Sequence, residues 1–498
     1  MENAFYELAQ NYYHLETKNI KIHRDHLNKT THHYLFVRHQ FKMGFLNELK
    51  QDRQAASTHY LQAYSHLLEL RIVDTNILEI KIVAGMINYK LCKLMFQLSL
   101  ALDSIRQFLK HIEWFKSRTG PKELIFEHHA WISKQFSLFA DVFDEAIRQG
   151  LPAIQTQHPG FYYQMAAANL LERKRVAEQI QIDPTTPIQS NSLDGHIEFY
   201  GQRPWRPGKL SAEPPDPNLE RLAMTALQYQ EKQVNHCMLI ISQYSNAISQ
   251  FKKYRCPRMR RQLVVQMAEE YYFARDYGKA LTLFTHMISD YRTERWWLLL
   301  SNILNRALKC AYLTANIQDF IILAFESLST SIINVDKEAI LANLLQVLDK
   351  QSPDEPKGLK LPEEDLNRAR DLWNQAIQSN QIVIEAANIL SCIECKGRFI
   401  KNKFEAEENV QIEIFIRSRC IMGIEFTKLS VTMNSANATN EFAVNADLFF
   451  KTNEVKRFVC EWKPDIRDIG HDVQLAAILL HLGKYIGSFF ISIKQQIN

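Results

Sequence analysis

Glycine and proline, the residues that most often interrupt regular backbone, are scarce in this chain of 498 residues, which has 15 of each. Seven of the prolines fall within residues 183–217, so the remaining sequence is rarely interrupted. Elsewhere apolar residues recur at three- and four-residue spacing, as at Leu61, Tyr64, Leu68 and Ile72. The pattern predicts successive helices over residues 1–380, with a long connection at 183–217. Its aromatic residues Phe199, Tyr200 and Trp205 are expected to dock on neighbouring helices.

The helical region contains weak internal repeats. The stretch MAEEYYFARDYGKALTLF matches the tetratricopeptide offsets at Ala268, Tyr271, Tyr277, Ala280 and Phe284. Small residues there allow two antiparallel helices to cross closely. Two further sets repeat the spacing, the second less well: Gly44, Ala56, Tyr60 and Ala63, then Cys92, Ser104 and Phe108. Because Gly44 and Cys92 are further apart than the usual repeat of about 34 residues, we predict an irregular α-solenoid.

The periodicity changes after about residue 385. In NVQIEIFIRS, Val410, Ile412, Ile414 and Ile416 alternate with residues of the opposite face. Further alternating segments bring the number to roughly six or seven strands over residues 385–498. The predicted fold is therefore mainly α, a tetratricopeptide-like α-solenoid followed by a C-terminal antiparallel β-sandwich of immunoglobulin-like type.

Composition limits the classes of function. A hydrophobic content of 46% and a net charge of +4 are ordinary for a soluble globular protein and do not suggest extensive nucleic-acid binding. The start at Met1-Glu2-Asn3 has no basic–apolar leader, and no apolar run approaches the roughly 18 residues of a membrane span. The eight cysteines are scattered, which favours reduced thiols and a cytoplasmic location.

The sequence offers no convincing reaction centre. It lacks a phosphate-binding glycine loop, a nucleophile elbow and a zinc-protease motif. Cys392 and Cys395 have half of a zinc-ribbon spacing, but no second pair completes it. The pairs His23/His26, His32/His33 and His128/His129 also have no completing ligands. We therefore expect no catalytic, cofactor-binding or metal-binding residues.

One basic cluster stands out in the run KKYRCPRMRR. Its six cations are Lys252, Lys253, Arg255, Arg258, Arg260 and Arg261. One interpretation is a contact for anionic lipid headgroups or for an acidic partner surface. The other is a solvated helix end, because cations are favoured near a helix C-terminus. Cys256 lies within this run, but Pro257 marks a helix junction there and no catalytic partner is evident for the thiol.

A second stretch, HPGFYYQMAAANLLERKR, raises the question whether His158 belongs to an active site. Pro159 suits a first helical turn, and Ala166-Ala167-Ala168 permits close helix packing. No residue near His158 in the sequence would make it a base. The segment is predicted to be a helix start with packing aromatic residues.

The stretch QTQHPGFYYQMAA, together with NAFYELAQNYYH, FYGQRPWRPG and AISQFKKYRCPRM, resembles the foie gras domain family of trafficking protein particle (TRAPP) complex subunits. The resemblance covers roughly residues 1–350, and the C-terminal strands resemble the β-segments that follow the domain. Members have a region before this domain and more β-domains after it, so the chain is expected to be a fragment or a shortened form.

The resemblance implies a non-catalytic scaffold subunit of a tethering complex that acts in endoplasmic reticulum-to-Golgi transport, Golgi organisation and autophagy. It implies other TRAPP subunits as partners, an indirect link to a Rab GTPase, and a peripheral location at Golgi and intermediate membranes. No small-molecule substrate, cofactor or nucleic acid is implied. Two alternatives remain: a free helical-repeat adaptor, which would need a concave groove with clustered cations, and a metal protein or enzyme that uses Cys392 and Cys395.

Overall fold

The computed structural model describes residues 2–72, 76–154, 157–181, 217–356, 358, 361–377, 382–385, 393–405, 408–420, 423–434, 439–444, 447–464, 472–482 and 487–491. The chain divides into two compact units, Met1–Met267 and Ala268–Asn498. The predicted connection at 183–217, with Phe199, Tyr200 and Trp205, lies outside the described residues except for Pro217. That proline begins a helix, because its missing N–H is not needed in a first turn.

The described residues of the first unit form a succession of α-helices with short links. These are α1 (Glu2–Asp25), α2 (His33–Leu49), α3 (Arg53–Leu68), α4 (Ile77–Gln97), α5 (Ala101–Lys116), α6 (Ile125–Arg148), α7 (Gly160–Gln179), α8 (Pro217–Lys232) and α9 (His236–Lys253). A short 3-10 helix, Lys122–Leu124, precedes α6, and α10 (Pro257–Phe273) follows α9.

The predicted small-residue contacts between paired helices are confirmed. A Cβ on Gly44 of α2 would lie 2.8 Å from the ring of Tyr60 in α3, so these helices approach too closely for a larger residue. In the next pair, the Ser104 hydroxyl donates to the carbonyl oxygen of Cys92 at 3.2 Å. The stripe predicted in α3 is partly wrong, because Leu61 is 45% exposed. The buried face passes through Tyr60 and Leu67 instead.

In the part of the second unit that the structure describes, five helices follow the end of α10. They are α11 (Tyr277–Thr293), α12 (Trp297–Leu313), α13 (Ile317–Ser327), α14 (Lys337–Leu348) and α15 (Glu363–Ala376). Ala268, Ala280 and Phe284 are fully buried, as the tetratricopeptide offsets predict. The chain is therefore mainly helical, with fifteen α-helices among the described residues.

The helices from α10 to α13 are regularly spaced, which the sequence did not indicate. They begin at Pro257, Tyr277, Trp297 and Ile317, a period of 20 residues. Each preceding turn contains a non-glycine residue at positive φ: Arg255 (56°), Arg275 (62°), Arg295 (59°) and Ala315 (47°). Within the predicted solenoid this run is therefore regular, and its repeated feature is the backbone of the turn and not a residue type.

Ten strands follow the helices among the described residues of the second unit. They are β1 (Ile382–Glu385), β2 (Ile393–Phe399), β3 (Val410–Ser418), β4 (Ile424–Glu425), β5 (Lys428–Asn434), β6 (Thr439–Val444), β7 (Phe449–Phe450), β8 (Val455–Trp462), β9 (Gln474–Leu482) and β10 (Gly487–Ile491). They form a five-stranded sheet β1-β10-β9-β5-β6, a three-stranded sheet β2-β3-β8 and the pair β4-β7.

The two larger sheets pack face to face, which is the predicted sandwich. A Cβ on Gly397 of β2 would lie 2.3 Å from Leu475 Cδ2 of β9, so the sheets are in direct contact there. Ile412, Ile414 and Ile416 of β3 are buried, as their alternation predicts. One strand pair differs from the predicted antiparallel arrangement, because β1 pairs with β10 in parallel, from Ile382 opposite Gly487 onward.

Candidate partner-binding surface

The six cations predicted as one cluster are divided between two helices and the turn that joins them. Lys252 and Lys253 end α9, and Arg255 lies in the turn. Arg258, Arg260 and Arg261 fall in the first turns of α10, after Pro257. The turn closes through the Cys256 N–H, which donates to the Phe251 carbonyl oxygen at 2.9 Å. The local fold thus gathers all six cations at one helix junction.

Only part of this cluster fits the interpretation of a stabilised helix end. Lys252 and Lys253 are at a C-terminus, where the helix dipole favours positive charge. The three arginines of α10 are at an N-terminus, where the dipole disfavours it, and no acidic residue lies in that first turn. The interpretation as a stabilised helix end therefore accounts for the two lysines and not for the three arginines.

The cluster is largely accessible to solvent. Lys252, Lys253, Arg255 and Arg258 are exposed, and Arg260 and Arg261 are half-buried. Lys253 Nζ lies 3.9 Å from Asp144 Oδ1 of α6, too far for a strong ion pair. A surface of this kind attracts anionic groups. We call these six residues the basic junction.

His158, singled out in the sequence, lies directly beneath the basic junction. Its ring is fully buried and stacks on Tyr254, with centroids 4.6 Å apart and planes 20° apart. Phe251 meets the ring edge-on at 5.0 Å, and Phe161 of α7 lies at 4.6 Å. The segment that begins α7 is therefore anchored to the end of α9 by an aromatic cluster.

The structure brings together His158 and Cys256, for which the sequence offered no partner. His158 Nε2 lies 3.9 Å from Cys256 Sγ. The Gly160 N–H donates to His158 Nδ1 at 3.1 Å, so the ring proton is on Nε2. The nitrogen that faces the thiol therefore carries a hydrogen and does not act as a base. A separation of 98 residues hides this pair from sequence reasoning.

The close contact between Gly160 and His158 predicts a sensitive position. A Cβ at residue 160 would lie 2.7 Å from His158 Cε1 and 3.1 Å from Gln250 Cβ. Since the ring is enclosed, we expect Gly160→Ala to lower the free energy of unfolding by about 1–3 kcal/mol. The measurement is chemical denaturation, with Gly278→Ala as control, because its Cβ would meet nothing within 4 Å. Equal stability of the two variants would contradict this packing.

Acidification is expected to destabilise the protein through His158. Burial lowers the pKa of His158 to about 4. Since a histidine in an unfolded chain titrates near pH 6.5, only the unfolded chain takes up this proton between pH 6.5 and 4. The contribution of neutral His158 is therefore complete above pH 6.5 and decreases as pH falls. Between pH 7 and pH 5, the free energy of unfolding should fall by up to about 2 kcal/mol more for wild type than for His158→Phe.

The control for this pH experiment is the exposed His286, replaced by glutamine. Denaturation curves at pH 7 and pH 5 are compared for all three proteins. A difference between wild type and His158→Phe that stays constant with pH would contradict the assignment.

The cysteine and histidine pairs noted in the sequence are the other candidates for ligands or reactive groups. Cys392 lies outside the described residues, and burial raises the pKa of Cys395 to about 12. His128 Nδ1 lies 2.9 Å from Lys81 Nζ, and His23 Nδ1 lies 2.8 Å from His39 Nε2. Within the described ranges, no three histidine, cysteine or acidic side chains are placed to hold a metal ion.

A separate apolar groove lies in the first unit, between α2 and α4. Its volume is about 410 Å³, and Val37, Phe41, Val83 and Met86 are among its lining residues. One cation, Arg38, and one carboxylate, Glu79, also belong to the lining. The groove does not have the clustered cations that an acidic peptide would require.

None of the helices in the described part of the chain is long and apolar enough to cross a bilayer.

Comparison with known proteins gives two family matches. Foie gras liver health family 1 matches residues 76–330. The TRAPPC11 first Ig-like domain matches residues 383–489. The helical part and the β-sandwich thus each match a family description.

Three curated proteins are similar over nearly the whole chain. Trafficking protein particle complex subunit 11 of Gallus gallus is 43% identical over 517 residues, which cover 98% of this chain and 45% of that protein. Proteins of the same name from Bos taurus and Homo sapiens are each 42% identical, again over 98% of the chain and 45% of the relative. The chain spans less than half of the length of these relatives.

Proposed function

Because the chain belongs to Foie gras liver health family 1, we propose that it is a non-catalytic scaffold subunit of a trafficking protein particle complex. The observation that carries the proposal is the 43% identity to a subunit of that name across 98% of the chain. Successive helices give extended surface for protein contacts, which suits a scaffold. The proposal includes two domains, helical over residues 1–380 and β over 385–498.

The proposed role has three further parts. The complex would serve endoplasmic reticulum-to-Golgi transport, Golgi organisation and autophagy, and would reach a Rab GTPase only through its other subunits. The chain would be cytoplasmic and peripheral at Golgi and intermediate membranes. The resemblance to TRAPP subunits supports these parts.

An affinity pull-down of the tagged chain from cytosol, with mass spectrometry of the bound proteins, tests the proposal. Co-purification of other complex subunits in amounts comparable to the chain is the expected result. Recovery of the chain alone, or with chaperones only, would overturn the proposal for this length of chain.

The basic junction is proposed as a contact for an acidic surface of a neighbouring subunit. Its three α10 arginines are placed where the helix dipole opposes them, which favours a role in binding. Replacing Arg258, Arg260 and Arg261 by glutamine should reduce recovery of complex subunits at least about 10-fold. The matched control replaces three exposed cations of α5, namely Arg106, Lys110 and Lys116.

Binding of the purified chain to vesicles with anionic lipids distinguishes an acidic protein surface from lipid headgroups as the partner of the basic junction. Unchanged subunit recovery with lost vesicle binding would overturn the protein contact in favour of a membrane contact.

The second candidate function is a free helical-repeat adaptor. The apolar groove between α2 and α4 favours it with an apolar occupant only, because the groove lacks the clustered cations that an acidic tail would require. Grooves between helices take up apolar side chains of a bound helix or peptide. Substitution Val83→Glu would abolish such binding. If the pull-down recovered a partner other than complex subunits, and this variant lost it, the adaptor function would replace the scaffold function.

A further inference from the structure

The first helix carries an apolar stripe that no described residue covers. The stripe consists of Phe5 (67% exposed), Leu8 (65%), Tyr12 (59%), Leu15 (58%) and Ile22 (49%). Another side of α1 packs within the fold, where Thr17 is buried and Tyr13 and Ile20 are half-buried. Two faces of α1 therefore carry apolar side chains, and only one of these faces packs against other described residues.

The stripe has the spacing of a helix that pairs with another helix. Its first four members fall at intervals of three, four and three residues, and Ile22 follows seven residues after Leu15; all five occupy a and d positions of three consecutive heptads. The one a position without an apolar residue is Asn19, also exposed. Seams of paired helices tolerate a single polar a residue at a cost in stability. This pattern points to one helix as occupant, and not to a membrane or a small ligand.

We propose that the occupant is α1 of a second copy of this chain, packed antiparallel about a two-fold axis. The midpoint of Glu2–Asp25 lies between Tyr13 and His14. An antiparallel pair centred there sets Phe5 against Ile22 of the second copy, and Tyr12 against Leu15. Each aromatic ring then meets an aliphatic side chain. A parallel pair in register would set Phe5 on Phe5 and Tyr12 on Tyr12, which overfills the seam.

The buried area agrees with this arrangement, and charge does not oppose it. Along the flanks of the seam, Asn11 faces Lys18 of the second copy, and Ala9 faces Glu16, so no like charges oppose each other. Asn19 faces Leu8 near each end of the pair, where water remains in reach. The five apolar side chains would remove about 500 Å² per copy from water, and their neighbours would bring this near the roughly 800 Å² of a specific interface. The contact is isologous and closes at two copies.

Sedimentation velocity of the full chain from about 1 to 50 µM tests the proposal. We expect a monomer–dimer equilibrium, and we expect Leu8→Glu with Leu15→Glu to weaken the dimer at least about 100-fold. The matched control changes two exposed leucines of α5, Leu102→Glu with Leu109→Glu, and should leave the dimer intact. Because all four leucines are exposed, circular dichroism should show unchanged folding.

A monomer at all concentrations would overturn the proposal, as would a dimer that the α1 variant does not weaken. Cysteine crosslinking decides the orientation. The pair Tyr12→Cys with Leu15→Cys should form a covalent dimer, whereas Asn19→Cys alone should not. A dimer crosslinked through Asn19→Cys alone would replace the antiparallel pair with a parallel one. The experiment is independent of the proposed complex, since it uses only the purified chain.

Discussion

Replacing Trp373 with alanine is expected to lower the free energy of unfolding of the unit Ala268–Asn498 by about 3–5 kcal/mol. Trp373 is fully buried and is one of two buried residues in α15, with Ala369. Its ring meets Phe320 edge-on, with centroids 5.3 Å apart. Its Nε1–H donates to the Tyr312 carbonyl oxygen at 2.8 Å. Without this side chain, α15 has little left that holds it against α12 and α13.

Thermal unfolding followed by calorimetry measures this effect as a lowered melting temperature. Trp373→Phe is the matched control: it keeps most of the ring contacts and loses the hydrogen bond, for an expected cost of about 1–2 kcal/mol. If Trp373→Ala lowered the free energy of unfolding by less than Trp373→Phe, this residue would not be what holds α15 in place.

Replacing Arg292 with alanine is expected to cost about 3–5 kcal/mol in the same unit. Arg292 of α11 binds Glu326 of α13 through two hydrogen bonds, Nε to Oε1 at 2.7 Å and Nη2 to Oε2 at 2.5 Å. Glu326 is fully buried, so removal of the guanidinium leaves a carboxylate without its counter-charge inside the protein. Arg106→Ala, which breaks an exposed pair with Asp103 on α5, should cost less than about 1 kcal/mol.

The pH dependence of Arg292→Ala has a defined sign. Burial raises the pKa of Glu326 above its ordinary value, and the hydrogen bonds from Arg292 oppose that rise. Without Arg292 the pKa rises further, so the folded protein takes up a proton at a pH where the unfolded chain does not. The stability of the variant therefore increases as pH falls through that window. The difference in stability between wild type and Arg292→Ala should become smaller at acid pH. A loss that grew on acidification would contradict a charged Glu326.

The same pair offers a second check. Arg292→Leu combined with Glu326→Leu removes both charges, so the double variant should be more stable than Arg292→Ala alone. If the stability lost by the double variant equalled the sum of the losses of the two single leucine variants, the two groups would not interact.

Periodicity in the sequence was sufficient to predict the class of the fold. Alternation placed Ile412, Ile414 and Ile416 in the sandwich core, and small residues such as Gly44 marked close helix contacts. The 20-residue helix period was not predictable in this way, because Arg255 and Arg275 share a backbone conformation that arginine rarely adopts. Parallel pairing of β1 with β10 was also hidden, since strand direction has no signature in alternation.

The candidate surface was predictable in composition but not in arrangement. The six cations and the helix junction at Pro257 were evident in the sequence, but the positive φ of Arg255 that shapes the turn was not. The contact between His158 and Cys256 required the ends of α7 and α9 to meet, which local patterns do not specify. The exposed stripe of α1 was readable as heptads, but only burial distinguishes a stripe that packs from one that does not.

The pairing of β1 with β10 has a consequence for the order of events during folding. Helices α10 to α13 are joined by short turns, so their contacts are local and form quickly. Strand β1 must wait for β10, about one hundred residues later in the chain, before its edge is paired. During synthesis the helices are therefore expected to be in place while the five-stranded sheet is still open. Pulse-labelling hydrogen exchange should show helical amides protected before those of β1, and this interval is when the growing chain is most exposed to aggregation.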